Sequence, residues 1–95
     1  MNIKIARIHK LEGDGNLKAF VDVTIDDSFM IKGIRIVQGK KDLFVSMPKE
    51  KGKDGRWYEI LHPLTPYFRD YLSSTILDAY YSFNELETRL EVANG

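Results

Sequence analysis

The stretch from residue 17 to residue 26 constrains the fold of this chain most, because its apolar and polar positions alternate without a break. Apolar residues fill the odd positions from Leu17 to Ile25, and mostly polar residues fill the even ones. A period of two is typical of a β-strand with one buried face. The turn sequence GDGN at residues 13–16 precedes it, and a run containing Ile3, Ile5 and Ile8 comes before that turn. The chain is therefore predicted to begin with an antiparallel hairpin.

Two interruptions of this alternation predict β-bulges. The pattern of the first strand slips near Ala6. In the third strand the apolar positions change from odd numbers at Phe29 to even numbers at Ile36, and Gly33 lies where the phase changes. A glycine at such a point favours a bulge in an otherwise continuous strand.

The segment from residue 43 to residue 63 predicts a further hairpin with a cationic tip. Residues 43–47 (LFVSM) form a short apolar run, and Pro48 ends it because proline has no N–H to donate to a ladder. Residues 49–55 (KEKGKDG) read as a long basic loop, and residues 56–61 return as a strand. Together these elements predict an antiparallel, meander-like sheet of about five strands over residues 2–62.

The apolar period then changes to that of a helix, predicted over residues 65–93. Thr65 is placed to cap the helix, and Pro66 suits its first position. An apolar stripe at spacings of three and four comprises Phe68, Leu72, Ile76, Ala79, Phe83, Leu86, Leu90 and Ala93. Its near half, up to residue 79, is expected to cover the sheet, which gives an α+β fold.

The far half of the stripe leaves two interpretations open. One helix could run to about residue 92 and pack its far half on another subunit. Alternatively, Asn84 could cap a second short helix, with Glu87 as its capping-box partner.

The composition, with 43% apolar and 29% charged residues, indicates one globular domain over residues 1–95. The chain has no cysteine, no apolar run near the roughly 18–20 residues of a membrane span, and no signal-peptide pattern, so a cytoplasmic location is expected. Its net charge is zero, yet residues 40–56 carry six basic and three acidic groups. This local excess of +3 indicates either a solvated loop or a surface for a polyanion.

No arrangement of residues predicts an enzyme. His9 and His62 lie on different elements, and neither a nucleophile motif nor a phosphate-binding glycine pattern is present. We expect no catalytic activity, no cofactor, no metal and no small-molecule substrate.

Three side chains near the basic segment admit two interpretations each. Trp57 and Tyr58 could offer a stacking platform to an unpaired base. The strand pattern favours the other interpretation, in which one faces the core and the other lies half exposed. Arg69 is predicted in the first turn of the helix, where the dipole disfavours a cation by roughly 0.3–1 kcal/mol. Its anionic partner could be a side chain such as Asp70, which is favoured, or a phosphate.

Two blocks of the central segment form a specific combination: LFVSMP at residues 43–48, and His62-Pro63 fourteen residues after Pro48. Further matching stretches are GNLKA (15–19), VTID (23–26), Phe29, GIRIV (33–37), Gly39 and Asp54-Gly55. With these residues the chain, from about Ile3 to Tyr80, resembles the stage V sporulation protein G (SpoVG) family of bacterial septation and regulatory proteins. The resemblance implies a cytoplasmic homodimer that binds DNA, and in some members RNA, to regulate transcription in sporulation and cell division.

The resemblance also bears on single residues. Many members have two adjacent basic residues where this chain has Glu50 and Lys51, so one charge of the pair is reversed. Arg69 matches an arginine at the start of the family's helix. The predicted nucleic-acid-binding residues are Lys40, Lys41, Lys49, Lys51, Lys53, Arg56 and Arg69. The alternative function is a protein–protein adaptor that uses the helix stripe or a sheet edge.

Overall fold

A computed structural model of the chain describes the backbone of residues 1–94 and the side chains of residues 1–84. Within residues 1–94, six strands precede one helix. The strands are β1 (Ile3–Lys10), β2 (Leu17–Ile25), β3 (Phe29–Gln38), β4 (Leu43–Ser46), β5 (Lys49–Lys51) and β6 (Trp57–Glu59), and the helix α1 spans Pro66–Asn94. The predicted α+β class is confirmed.

The first four strands form an antiparallel sheet in the order β1-β2-β3-β4. Each strand pairs with the next along the chain, which confirms the predicted meander. In register, Ile8 faces Val21 and Val21 faces Ile34, so apolar residues of three strands share one face. The register of β1 shifts between Ile5 and Arg7, which confirms the bulge expected near Ala6.

The bulge at Gly33 is also confirmed, and its physical cause is visible. Gly33 has a φ of 79°, in the left-handed region where a residue without Cβ pays no steric penalty. A bulge leaves one residue unpaired in the ladder. The N–H of Gly33 instead donates to the carboxylate of Asp22 at 3.0 Å. β3 therefore continues through the bulge to Gln38.

The hairpin predicted around residues 49–55 has a different pairing. β4 pairs with β3, with Val45 opposite Ile36, whereas β5 pairs with β6 in a separate two-stranded sheet. The prediction that residues 43–47 pair with residues 56–61 is therefore wrong. Pro48 is the reason, because β4 ends before this proline. The carbonyl of Pro48 accepts a hydrogen bond from the N–H of Ile60 at 2.9 Å. A new ladder then begins at Lys49.

The core lies between one sheet face and α1. Leu72 and Ile76 are fully buried against Val21, Val23, Ile34 and Ile36. Burying each of these two helix side chains contributes about 1.5–3 kcal/mol. Phe68 packs on the edge of this core as expected. One turn beyond Ile76, the side chain buried in the core is Tyr80 rather than the expected Ala79.

The start of α1 matches its prediction. Pro66 is the first helical residue, and the hydroxyl oxygen of Thr65 accepts a hydrogen bond from the N–H of Phe68 at 3.2 Å. The helix continues to Asn94, so the interpretation with a second helix capped by Asn84 is wrong. The side chains of Leu86, Leu90, Ala93 and Glu87 lie outside the described residues. No helix in the described part of the chain is long and apolar enough to span a membrane.

Candidate functional site

The basic hairpin, defined as residues 49–59, is closed by a turn that depends on glycine. The carbonyl of Gly52 accepts a hydrogen bond from the N–H of Gly55 at 3.0 Å, and the N–H of Gly52 donates to the carbonyl of Arg56 at 2.8 Å. Gly55 has a φ of 83°. A β-turn followed by a left-handed glycine is a common three-residue hairpin connection. The tip is therefore short, and Lys49 and Lys51 lie on a strand rather than in a long loop.

A side-chain hydrogen bond holds the tip to the return strand. The hydroxyl of Tyr58 donates to the carboxylate of Asp54, and the N–H of Arg56 donates to the same carboxylate at 3.0 Å. The bond from Tyr58, followed by that from the Arg56 backbone, lowers the pKa of Asp54 below its ordinary value. The same bond raises the pKa of Tyr58. The lowered pKa favours the ionised form of Asp54, and its carboxylate accepts hydrogen bonds from two donors within the hairpin.

Two of the predicted cations meet in one cavity, which we call the basic cleft. It has a volume of about 300 Å³ and lies between β4, the basic hairpin and the start of α1. Lys49 lines it from β5 and Arg69 from α1, and His62 and Glu59 complete its charged or titratable lining. Ser46 and Ser73 add hydroxyl groups that can donate hydrogen bonds. Such donors suit an oxyanion such as a phosphate.

Arg69 lacks the side-chain partner that we expected. Among residues 1–84, no carboxylate forms an ion pair with it, and Asp70 is not bonded to it. The guanidinium is exposed in the first turns of α1. The favoured interpretation, a structural anion, is therefore not supported by the described residues, and the phosphate interpretation remains.

The other predicted cations do not line this cleft. Lys51 and Lys53 line a neighbouring depression of about 260 Å³ with Tyr58 and Ile60. Arg56 directly precedes β6. Lys40 and Lys41 lie in the turn between β3 and β4, at the opposite end of β4 from Lys49. Four strand residues at about 3.3 Å each separate the two ends, so the structure brings together only part of the predicted set.

The aromatic residues of the basic hairpin are both exposed. Trp57 is 63% exposed and Tyr58 is 51% exposed, so the prediction that one of them faces the core is wrong. The site prediction does not include His62, which lines the basic cleft. Its position three residues before the Thr65 cap was the available signal, since a residue there lies near the start of the helix.

The cations of the basic hairpin form no ion pair within residues 1–84, although the hairpin also carries Glu50, Asp54 and Glu59, and Glu59 lies opposite Lys49 in register. Within the described part of the chain, Lys4 and Asp27 form an ion pair at 3.2 Å, and neither residue belongs to the hairpin. The described residues also contain no cluster of three or more His, Asp or Glu side chains that could hold a metal ion. The positive charges of the hairpin and cleft are thus available to an external anion.

Comparison with known proteins places the chain in a family. Residues 1–82 match the SpoVG family model. The chain belongs to the SpoVG family. A SpoVG protein from Lachnospira eligens is 40% identical over 80 residues, which cover 84% of this chain and 91% of that protein. One from Archaeoglobus fulgidus is 40% identical over 74 residues, covering 78% and 87%.

A third SpoVG relative, from Clostridium perfringens, is 35% identical over 89 residues, covering 94% of this chain and 99% of that protein. All three relatives carry a name that describes them as septation proteins. The family resemblance given by residues 43–48 and His62-Pro63 is thus confirmed.

Proposed function

We propose that this SpoVG protein is a non-enzymatic regulator that binds nucleic acid in the cytoplasm as a homodimer. The observation that carries the proposal is the convergence of Lys49 and Arg69 on the basic cleft, where neither forms an ion pair with a carboxylate of residues 1–84. Glu59 also lines the cleft, so the two cations exceed its single acidic side chain. The proposed interface also includes Lys51, Lys53 and Arg56, with Lys40 and Lys41 at its periphery.

A bound phosphate best explains the position of Arg69 at the N-terminus of α1. An unpaired cation at a helix N-terminus is unfavourable by roughly 0.3–1 kcal/mol, and an anion beside it removes that cost. A guanidinium can bind phosphate through two parallel hydrogen bonds, and Lys49 would add a point charge from the other side of the cleft. Contacts of this kind position a protein on DNA or RNA and carry little sequence information.

A second copy of the chain would double this modest charge. The region around the basic hairpin exposes large apolar side chains, including Ile60 (61%), Leu64 (90%) and Tyr67 (81%). The strands β1 and β4 are edges of the four-stranded sheet. Exposed apolar side chains and open edges are the features that a homodimer covers. Sedimentation that gives a monomer of 11.0 kDa at micromolar concentration would contradict this part of the proposal.

The affinity for duplex DNA and single-stranded RNA at two salt concentrations tests the binding. We expect the logarithm of the affinity to fall linearly with the logarithm of the salt concentration, because phosphate contacts release counterions. Reversing Lys51 and Lys53 to Glu should weaken binding to every sequence and reduce the salt slope by about one per lost contact. The exposed Lys32 on β3 provides a control for a single reversal, Lys51→Glu, since Lys32→Glu makes the same change of charge away from the hairpin.

Trp57 gives an independent signal at the site. It is the only tryptophan of the chain and lies on the basic hairpin. Its fluorescence should change when nucleic acid binds. If the double reversal binds as tightly as the parent at low salt, the hairpin is only a solvated tip and the proposal fails.

The adaptor function is favoured by one observation, the exposed apolar pair Leu64 and Tyr67 beside a cavity of about 300 Å³ that Leu64, Met1 and Phe68 line. Salt distinguishes the two functions, since an apolar protein interface weakens little as salt increases. A partner that is retained at high salt, together with no affinity for nucleic acid at low salt, would support the adaptor.

A further inference from the structure

The outer sheet face, defined as the face of the four-stranded sheet turned away from α1, carries cations and aromatic rings side by side. One row crosses all four strands: His9 faces Phe20, Phe20 faces Arg35, and Arg35 faces Ser46. Neighbouring strand residues such as Val21 point to the buried side, because side chains alternate between the two faces. His9 and Arg35 of this row are exposed, and Phe20 and Ser46 are half-buried.

The ring of Phe20 is flanked by two distinct features. The guanidinium carbon of Arg35 lies 5.8 Å from the ring centroid, which is a cation–π contact. On the β1 side, a cavity of about 210 Å³ is lined by Arg7, His9, Phe20 and Asp22. A flat group could enter this cavity beside the ring and meet Arg7.

A second ring lies on the same face. Phe44 is 48% exposed on β4, two residues from Ser46, and faces Val37. With about 4.8 Å between strands and about 3.4 Å per residue, Phe20 and Phe44 are about 12 Å apart. This separation is too large for both rings to hold one base, so each would hold a different one.

The charge of the outer sheet face indicates which class of ligand it can bind. Arg7, His9 and Arg35 form no ion pair within the described part of the chain. The nearby acid, Asp22, lies opposite Arg7 in register and accepts the hydrogen bond from the N–H of Gly33, so the face keeps an excess of cations over this one acid. A cationic face with separated rings is complementary to a polyanion that has flat apolar groups, which describes an unpaired nucleic-acid strand.

We infer that the outer sheet face binds single-stranded nucleic acid, with bases stacked on Phe20 and Phe44 and phosphates held by Arg7 and Arg35. Bases stack on exposed aromatic side chains irrespective of sequence, and open four-stranded sheets can serve as such platforms. A duplex hides its base faces and would not use this site. The inference rests on the proposed function in that both require binding of a polyanion. Arg7, Phe20 and Arg35 do not line the basic cleft, whereas Phe44 lies where the outer sheet face meets that cleft.

The test compares a labelled single strand of twelve thymidines with a duplex of the same length, by fluorescence anisotropy at low salt. The variants are Phe20→Ala and Arg35→Ala, because neither side chain lines the basic cleft. Arg35 is exposed and Phe20 is half-buried outside the core, so the fold should persist. Phe29→Ala is the matched control, because Phe29 is 72% exposed at the start of β3 and lies outside the row. Circular dichroism checks folding.

We expect each of the two variants to weaken single-strand binding about fivefold or more, with duplex binding and the control unchanged. Unchanged single-strand affinity in both variants would overturn the inference, as would equal losses for strand and duplex. If polyglutamate competes as well as unlabelled strand, the face binds acidic peptides instead.

The parent protein separates this inference from the proposed function. If it binds the duplex but no single strand, the inference fails and the hairpin proposal stands. Binding of the single strand alone, lost in the Phe20 and Arg35 variants, would support the inference and contradict duplex binding through the basic cleft. Absence of binding to either nucleic acid would overturn both.

Discussion

The hydroxyl of Tyr58 donates a hydrogen bond to the carboxylate of Asp54, and this bond joins the tip of the basic hairpin to its return strand. The N–H of Arg56 donates to the same carboxylate. An isolated two-stranded hairpin is only marginally stable in water. All six strand residues of this hairpin are exposed, so the polar bonds at its tip contribute to its order where a hydrophobic core cannot.

The order of the hairpin should therefore depend on pH at the acid end. Because the pKa of Asp54 is lowered in the folded hairpin, its bond with Tyr58 stabilises the hairpin fully above the ordinary value of 3.8. The stabilisation is lost as the pH falls through the lowered pKa. NMR titration of the Asp54 carboxyl should show this low value, and Tyr58→Phe should move it upward. Equal values in both proteins would contradict the assigned bond.

The same bond has an opposite dependence at the alkaline end. The pKa of Tyr58 is raised above its ordinary value of 10.0, since ionisation would place two negative charges together. Its contribution is therefore complete below pH 10.0 and is lost as the pH rises through the raised pKa. We expect the absorbance of the ionised Tyr58 phenol to appear at a higher pH in the parent protein than in the Asp54→Asn variant, which serves as the control.

Gly52→Ala should disturb the hairpin without unfolding the sheet. A Cβ at this position would lie 2.8 Å from a ring carbon of Tyr58 and 3.0 Å from a carboxylate oxygen of Asp54. The exposed tyrosine ring can move away, at the expense of its hydrogen bond. We expect a raised Asp54 pKa and altered Trp57 fluorescence, with little change in the free energy of unfolding.

Gly15→Ala is the matched control for that change. No atom lies within 4 Å of a Cβ built on Gly15, and its backbone is not in the left-handed region. This variant should leave the hairpin signals as they are in the parent. If Gly52→Ala also leaves them unchanged, the contact between Gly52 and Tyr58 does not support the hairpin.

Arg69→Ala should separate stability from binding. Removal of a cation from the first turns of α1 should leave the free energy of unfolding unchanged or raise it by roughly 0.3–1 kcal/mol. Binding to nucleic acid should weaken for all sequences, because a phosphate contact is lost. Urea denaturation and anisotropy measure the two effects. A large loss of stability would indicate a structural anion instead.

Leu72→Ala should destabilise the whole domain. Leu72 is fully buried between α1 and the sheet, so its truncation should cost about 2–5 kcal/mol through lost burial and a cavity. Ser74→Ala, at an exposed position on the same helix, should change the free energy of unfolding by no more than about 0.5 kcal/mol. Both are measured by urea denaturation at one protein concentration, since a dimer would unfold in a concentration-dependent way.

Local chemistry determined the elements that the sequence predicted correctly. The alternation from Leu17 to Ile25 specifies which face of β2 is buried, and the phase change at Gly33 specifies the bulge. Thr65 and Pro66 specify where α1 begins. In each case the information lies within a few neighbouring residues, because a side-chain period, a permissive φ or a missing N–H acts on adjacent backbone.

The tertiary structure decided which segments became partners. The composition of Lys49–Lys51 reads as a loop, yet these residues form β5 because the glycine turn returns β6 beside them. Trp57 and Tyr58 are exposed because this hairpin stands outside the sheet. The meeting of Lys49, His62 and Arg69 in one cleft depends on how α1 docks on the core. Such proximity arises from contacts between residues distant in sequence, which no local pattern of charge or apolar period encodes.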